Sequence, residues 1–308
     1  MKNSIPAASV IIPAFNEEKY IQVTLNALQL SDTLEIILVD NGSTDKTAEI
    51  ARDQGVKVID FPVGTIAAAR NRGVQASSSS FLVFIDSDVR VTPGWHQKLP
   101  FILEELEKNP LQVTGSRCQS PSTKSLLNKY WYTELTQYEA TYINSGHLIT
   151  TRELFEKISG FSENLETAED YDFCDKARKV GAVVRNNPDL VVIHDGYPQS
   201  LLGFIQRERW HGRQDFETGH SFRESKIAWL GAINLILLLS AFIFCLLDKC
   251  AALLIYLITM LVISFFLTVY KFGIKRMEYM LVMPIIFYFY LCGRTLALLD
   301  RLFQCLRK

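Results

Sequence analysis

The 308-residue sequence has no excess of either charge: 32 Lys and Arg stand against 33 Asp and Glu, a formal net charge of −1. Nucleic-acid binders ordinarily carry a basic excess, so that partner class falls away, and an anionic ligand would have to be held by local groups. Six cysteines show no C-x-x-C spacing. Cys245, Cys250, Cys292 and Cys305 lie in or beside apolar stretches, and only Cys118 and Cys174 remain elsewhere. Neither a disulfide framework nor a zinc site is indicated. The opening MKNSIPAASVIIPAFNEE lacks the apolar core and cleavage site of a secretory signal, so export by one is not expected. Also missing are the G-x-G-x-x-G turn of dinucleotide enzymes and the G-x-x-x-x-G-K-[ST] phosphate loop, which sets both classes aside.

What the chain does have is apolar residues, 48% of the total, and they concentrate at the C-terminal end. Ile227 to Leu247 and Ala251 to Tyr270 carry no charge. At about 1.5 Å per residue each reaches the roughly 30 Å hydrocarbon core of a bilayer. A third stretch, Tyr279 to Gly293, is shorter, contains Pro284 and ends at Arg294. It either extends to a third helix over about 279–299 or lies re-entrant or in the membrane plane. Arg207, Arg209, Arg213, Arg223 and Lys226 precede the first span, and Lys271, Lys275 and Arg276 follow the second, whereas the Asp248–Lys249 hairpin is neutral. Basic flanks favour the cytosolic face, which predicts an integral protein of the inner (cytoplasmic) membrane with residues 1–226 in the cytosol and 227–308 as the membrane region. A full third crossing would put Arg294, Arg301, Arg307 and Lys308 on the opposite face.

Residues 1–226 read as alternating strands and helices. β-Branched runs recur at Ser9 to Ile12, Glu35 to Val39, Val56 to Phe61 and Phe81 to Ile85, separated by segments of helical spacing. That pattern predicts an α/β fold with a mainly parallel central sheet covered on both faces. Further on, helices are expected over Trp95 to Lys108, Arg152 to Lys157 and Glu169 to Val180, and a late strand or hairpin over Ala182 to Ile193. Ligands of such sheets bind beyond the carboxyl ends of the strands, where this chain reads PAFNEE, DNGSTDKT and DSDVR.

Asp86 and Asp88 lie two apart at a strand end, so in extended geometry both carboxylates share a face. A divalent cation such as Mg²⁺ or Mn²⁺ would relieve their repulsion, while a solvated turn is the plain alternative. In the second loop Asn41-Gly42 supplies a tight turn and Ser43 or Thr44 a cap for a helix to Gln54. Asp40 is left without a structural duty, and a hydrogen bond to a base or ribose would supply one. Asn16 and Glu17 either begin a helix to Leu30 or line the same crevice.

PAFNEE, VDNGSTDKT, ARNRG (Ala69 to Gly73) and FIDSD, in this order, resemble the family 2 glycosyltransferases, which have the nucleotide-sugar-binding GT-A fold. INSGHLITTRELFEKISGF and EDYDFCDKARKVG resemble that family's acceptor half, so the likeness covers about Ala7 to Arg213. It implies that Pro13, Ala14, Asn16 and Glu17 line the nucleotide pocket, that Asp40 contacts the base, and that Arg70 lies by the nucleotide or its diphosphate. Asp86 and Asp88 would form the D-x-D motif, with Asp88 the better metal ligand and His194 a further candidate. Glu169 and Asp170 match the family's E-D pair, whose second acid is the general base of an inverting transfer; such a carboxylate takes the proton of the attacking hydroxyl. His147 falls where donor-sugar or acceptor contacts lie.

The expected partners are a nucleotide-diphosphate sugar donor, a lipid-linked or glycan acceptor, and membrane lipids. Arg207, Arg209 and Arg213 would face a diphosphate or lipid headgroups. The aromatic group Tyr130, Trp131, Tyr132, Tyr138 and Tyr142 would pack, stack on a sugar or meet the bilayer interface. Two rival readings are a polyprenyl-phosphate glycosyltransferase, whose acceptor needs no strong base, and a non-catalytic membrane scaffold. DSDVRVTPGW lacks the acidic-histidine-proline extension of the first, and retention of Asp88 and Asp170 argues against the second.

Overall fold

The computed structural model describes residues 7–122, 125–137, 141–216, 219–247 and 251–306. Two compact units divide the chain. The first comprises residues 1–121 and 136–197, the second residues 122–135 and 198–308.

The first unit is built on a seven-stranded sheet of order β3-β2-β1-β4-β7-β6-β8. Its strands are β1 (Ala8–Ala14), β2 (Leu34–Asp40), β3 (Lys57–Asp60), β4 (Phe81–Ile85), β6 (Gln112–Gly115), β7 (His147–Thr151) and β8 (Val183–Asn186). All neighbouring pairs are parallel except those made by β7, which runs antiparallel to both β4 and β6. A small second sheet pairs β5 (Val89–Val91) with β9 (Val192–His194). The stretch expected as one late strand or hairpin is therefore two strands in different sheets, separated because β8 pairs with β6 and β9 with β5.

Continuous apolar strands follow from burial on both faces. Val10, Ile12, Leu38, Val83 and Ile85 pack on one side with Ile21, Leu25 and Leu28 of α1 (Ile21–Leu28); α2 (Thr47–Asp53) follows β2. Ile11, Leu82 and Phe84 face the opposite side with Ala67 and Val74 of α3 (Ile66–Gln75). Gly73 lets α3 approach: a Cβ there would overlap Ile11. Trp95, Leu99 and Leu103 of α4 (Pro93–Lys108) complete the first face. Its Thr92 cap and Pro93 at the first turn match the preferences of helix starts. The next helices are α5 (Thr133–Thr136), α6 (Arg152–Lys157) and α7 (Glu169–Lys179); on the second face Phe173 stacks on Phe161, and Phe155 meets Phe161 edge-on.

The second unit holds α8 (Leu201–His211), α9 (Gly219–Glu224) and three helices long and apolar enough to cross a membrane: α10 (Lys226–Leu246), α11 (Ala251–Phe272) and α12 (Met277–Leu306). The third stretch, too short on its uncharged residues alone, is one helix that runs through Pro284 and Arg294. Arg294 is accommodated because Glu208 and Asp215 each accept from its guanidinium at 3.0 Å, leaving it 14% exposed. Gly293 makes room for α8, since a Cβ there would fall 2.7 Å from Glu208 Cβ and 2.8 Å from the Ile205 carbonyl. Arg209 pairs in bidentate fashion with Asp300, and Arg207 lies over the Tyr132 ring with Nε donating to His211. These arginines thus knit the unit together.

The aromatic group is a packing hub. Trp131, on a π-helical turn (Asn128–Tyr132), is 1% exposed against Phe204, Phe272, Phe287 and Tyr290, with ring centroids 5.4–5.6 Å away. Tyr130 stacks edge-on against Tyr279. Tyr142 belongs to the first unit, and Tyr138, like Asp248, Lys249, Cys250, Arg307 and Lys308, lies outside the described residues. Trp131→Ala is expected to cost about 3–5 kcal/mol of stability, read as a lower melting temperature of the detergent-purified protein. An unchanged melting temperature would show that the indole is not a hub.

Candidate active site

The carboxyl ends of β1, β2 and β4 deliver three loops to one edge of the sheet. Pro13 and Ala14 are the last residues of β1, buried and in register with Val39 and Asp40 of β2. Asn16 follows with φ at +56°, a left-handed turn that asparagine tolerates. Its side chain accepts from the Thr44 backbone N at 2.8 Å, and its own N–H donates to Ser43 Oγ. Glu17 N–H donates to Thr47 Oγ1 at 2.7 Å. The first two loops are therefore clasped together, which explains why α1 begins only at Ile21 and why Ser43 and Thr44 do not cap α2. Asp40, expected to lack a structural duty, has one: its carboxylate accepts from Ser43 N–H at 3.2 Å and closes the Asn41-Gly42 turn. It is 6% exposed.

The third loop carries the two aspartates. Thr24 of α1 donates to the Ser87 carbonyl at 2.8 Å, and Asp86 N–H donates to the Gly146 carbonyl at 3.2 Å, so the turn is held from both sides. The β5–β9 pairing sets Val89 opposite His194 and brings His194 Nδ1 to 3.4 Å from Asp88 Oδ2. Asp195 N–H donates to the Asp88 carbonyl, and Arg90 grips the Asp195 carboxylate. Gly196 leaves the Asp88 carboxylate its place, since a Cβ there would overlap it. The His194 ring stacks on Tyr197 with centroids 4.1 Å apart.

Arg70 projects from α3 into this group. Its Nη2 donates to Asp86 Oδ1 and its Nη1 to Glu169 Oε1, both at 2.7 Å. Glu169 and Asp170 open α7 after Ala168, whose φ is +62°. Asp170 Oδ1 accepts from Tyr171 N–H at 2.7 Å and Oδ2 from Asn144 Nδ2 at 2.9 Å. Next to Arg70, Asn71 clamps Phe161 by accepting from its N–H and donating to its carbonyl, which steadies the loop before α7. Tyr142 meets Tyr171 edge-on beside Asp170.

Charge crowding leaves its mark on the carboxyls. Burial, then Asp88, Asp86 and Asp45, pushes Glu17 up to about 8. Burial and the neighbouring Glu169 push Asp170 up to about 7, with Arg70 opposing. Asp86 is raised by burial against the pull of Arg70. Among the described residues no three acidic, histidine or cysteine side chains are gathered as a ready-made ion cage.

The eleven residues expected at the nucleotide, metal and base positions all lie in the first unit. Asp86, Asp88, Arg70, Glu169, Asp170 and His194 form one linked group, with Glu17 in their field; Pro13, Ala14, Asn16 and Asp40 form the adjoining clasp. His147 stands apart as a wholly buried pin: Trp95 Nε1 donates to its Nε2 at 2.8 Å, and Ser116 Oγ lies 2.9 Å from its Nδ1. Burial depresses its pKa to about 3, which keeps it neutral. Sequence reasoning missed Asn144, Ser145, Gly146 and Gly196. The one available signal was small or amide residues beside a strand end.

A family model described as "Glycosyl transferase family 2" matches residues 9–163. EpsJ of Bacillus subtilis (strain 168), an uncharacterized glycosyltransferase, is 30% identical over 220 residues, covering 64% of this chain and 63% of its own. Hyaluronan synthase of Pasteurella multocida is 29% identical over 192 residues, covering 58% of this chain and 19% of its own. The chain thus spans about three-fifths of the first relative and about a fifth of the second. Among solved structures, the mannosyltransferase PcManGT from Pyrobaculum calidifontis, in complex with GDP-Man and Mn²⁺, superposes with a TM-score of 0.59. It is 18% identical, with coverage of 97% of this chain and 88% of that one. The fold is the GT-A fold of enzymes that transfer sugars. The chain belongs to glycosyltransferase family 2.

Proposed function

We propose that the chain is a metal-dependent, inverting glycosyltransferase. It would move a sugar from a nucleotide-diphosphate donor to the hydroxyl of a lipid-linked or membrane-proximal acceptor, in polysaccharide, glycolipid or cell-envelope synthesis. The observation that carries this reading is Asp170, a carboxyl lifted toward neutrality beside the Asp86–Asp88 turn. In a single displacement the acceptor oxygen bonds to C1 of the sugar, the bond from C1 to the diphosphate oxygen breaks, and the hydroxyl proton passes to Asp170. A phosphate acceptor would have no such proton to give up, so a held base favours the hydroxyl reading over polyprenyl-phosphate transfer.

The chemistry of the residues suits a hard divalent ion, although they are not gathered as a three-ligand cage: Asp88 would be the main oxygen ligand, with Asp86 and His194 as the further candidates, and the mutual repulsion of Glu17, Asp86 and Asp88 is what a cation relieves. Bound there, Mg²⁺ or Mn²⁺ would supply Lewis-acid stabilisation of the departing diphosphate. Pro13, Ala14, Asn16, Glu17 and Asp40 would form the wall for the nucleoside. The basic residues flanking α10 and the end of α11 support a cytosol-facing catalytic unit on the inner (cytoplasmic) membrane.

The test is a thermal-shift panel of detergent-purified protein with UDP, GDP, CMP and dTDP sugars, each with Mn²⁺ or with EDTA. A ligand bound only by the folded state raises its melting temperature. One nucleotide class is expected to stabilise the protein, and only with Mn²⁺. A folded protein indifferent to all four would return the scaffold reading.

A further inference from the structure

The side chain of Arg70 is consumed inside the protein. It is 1% exposed, and both terminal nitrogens are engaged by carboxylates at 2.7 Å, Asp86 from the end of β4 and Glu169 from the start of α7. The Phe161 ring lies against its guanidinium at 5.6 Å. Glu169 Oε1 also accepts from Ser145 Oγ at 3.1 Å. The flanking residues tighten the same knot. Gly146 packs so closely on Asp86 that a Cβ would fall 2.7 Å from Oδ2, and Asn144 donates to Asp170. One guanidinium and one three-residue turn therefore fix Asp86, Glu169 and Asp170 against one another.

A planar fork with donors on two nitrogens can span two carboxylates; an ammonium, a single point charge, cannot hold both in the same geometry. A side chain so engaged and so deeply buried presents no face to a diphosphate. We propose that Arg70 is a positioning residue, which holds Glu169, and through it the adjacent Asp170, in register with the Asp86–Asp88 turn instead of binding the donor's diphosphate. The proposal rests on the reading of Asp170 as base. Glu169, doubly bonded, is then an anchor for its neighbour. The consequence is chiefly kinetic: a base displaced by about 1 Å costs on the order of 10²-fold in rate, while donor binding, which Arg70 reaches only through Asp86, changes far less.

The experiment compares Arg70→Lys, Glu169→Ala and the double variant with the wild-type full chain, each confirmed as folded by its melting curve, measuring kcat and donor KM. Arg70→Lys is expected to lower kcat by about 10²-fold with donor KM held within about twofold. The double variant should be no worse than the more damaging single, because both act through one path. A donor KM raised about tenfold with kcat retained would overturn the proposal in favour of a diphosphate contact. So would losses that multiply in the double variant. Should Arg70→Lys not fold, Glu169→Ala decides alone: kcat lost at constant KM supports the proposal and full kcat overturns it. Failure of the underlying reading is distinguishable, since it would show as full turnover in Asp170→Asn.

Discussion

Asp170→Asn is expected to lower kcat by about 10²–10⁴-fold, the usual contribution of a positioned general base, with donor KM little changed. The amide keeps the size of the side chain and one of the two acceptor oxygens that the Tyr171 N–H and Asn144 donate to. Like the protonated acid it turns a donor toward the other, but it cannot take a proton. The pH dependence has a definite sign. With its pKa at about 7, Asp170 is protonated and idle in acid, so wild-type kcat/KM should rise as pH increases through about 7, and that limb should vanish in the variant. Stability runs the other way. The folded protein holds a proton on Asp170 that the unfolded chain has already lost above about pH 4, so this carboxyl's contribution falls as pH climbs towards 7. A neutral amide escapes the penalty: Asp170→Asn should melt above wild type at pH 8 and level with it below about pH 4. Full turnover, or an unmoved acid limb, would remove Asp170 from the chemistry.

Asp88→Ala is expected to abolish the Mn²⁺-dependent part of the nucleotide thermal shift and to lower turnover by about 10³-fold, in keeping with several kcal/mol of Lewis-acid stabilisation. Removing this carboxylate also takes away the largest charge that raises Glu17, so the empty variant should be no less stable than wild type at pH 8. Gly196→Ala reaches the same place by another route, since its methyl group would force Asp88 aside. A variant at Asp88 that keeps both the shift and the turnover would show that the D-x-D pair is only a solvated turn.

How far the sequence reached can be seen residue by residue. β1, β2 and β4 were legible because burial writes unbroken apolar runs, β3 from its short β-branched run although it is an exposed edge strand, and the acids at the strand ends marked the crevice. β7 was not legible, as HLITT is short, polar at its ends and antiparallel to both neighbours. The start of α1 was misread because a left-handed Asn16 and its bonds to Ser43 and Thr44 hold the loop out of helical geometry, a long-range effect that local propensity cannot carry. The structural duty of Asp40 is not legible, since its partner is a backbone N–H, invisible in a string of side chains. Arg70 is the sharpest case. Its motif drew attention to it, but its partner Glu169 lies 99 residues away, and only the fold brings them together.

The tryptophan hub of the second unit has a bearing on how this protein is made. Trp131 is synthesised about 150 residues ahead of Phe287, and at roughly 5–20 residues per second the indole waits about 10–30 s for the ring that covers it. Through that interval the aromatic turn Tyr130-Trp131-Tyr132 stands without its final companions. The same arithmetic governs truncation. A chain ended before α10 keeps Trp131 but forfeits Phe272, Phe287 and Tyr290. A version without the three long helices therefore has to recast the Tyr130-Trp131-Tyr132 turn as well.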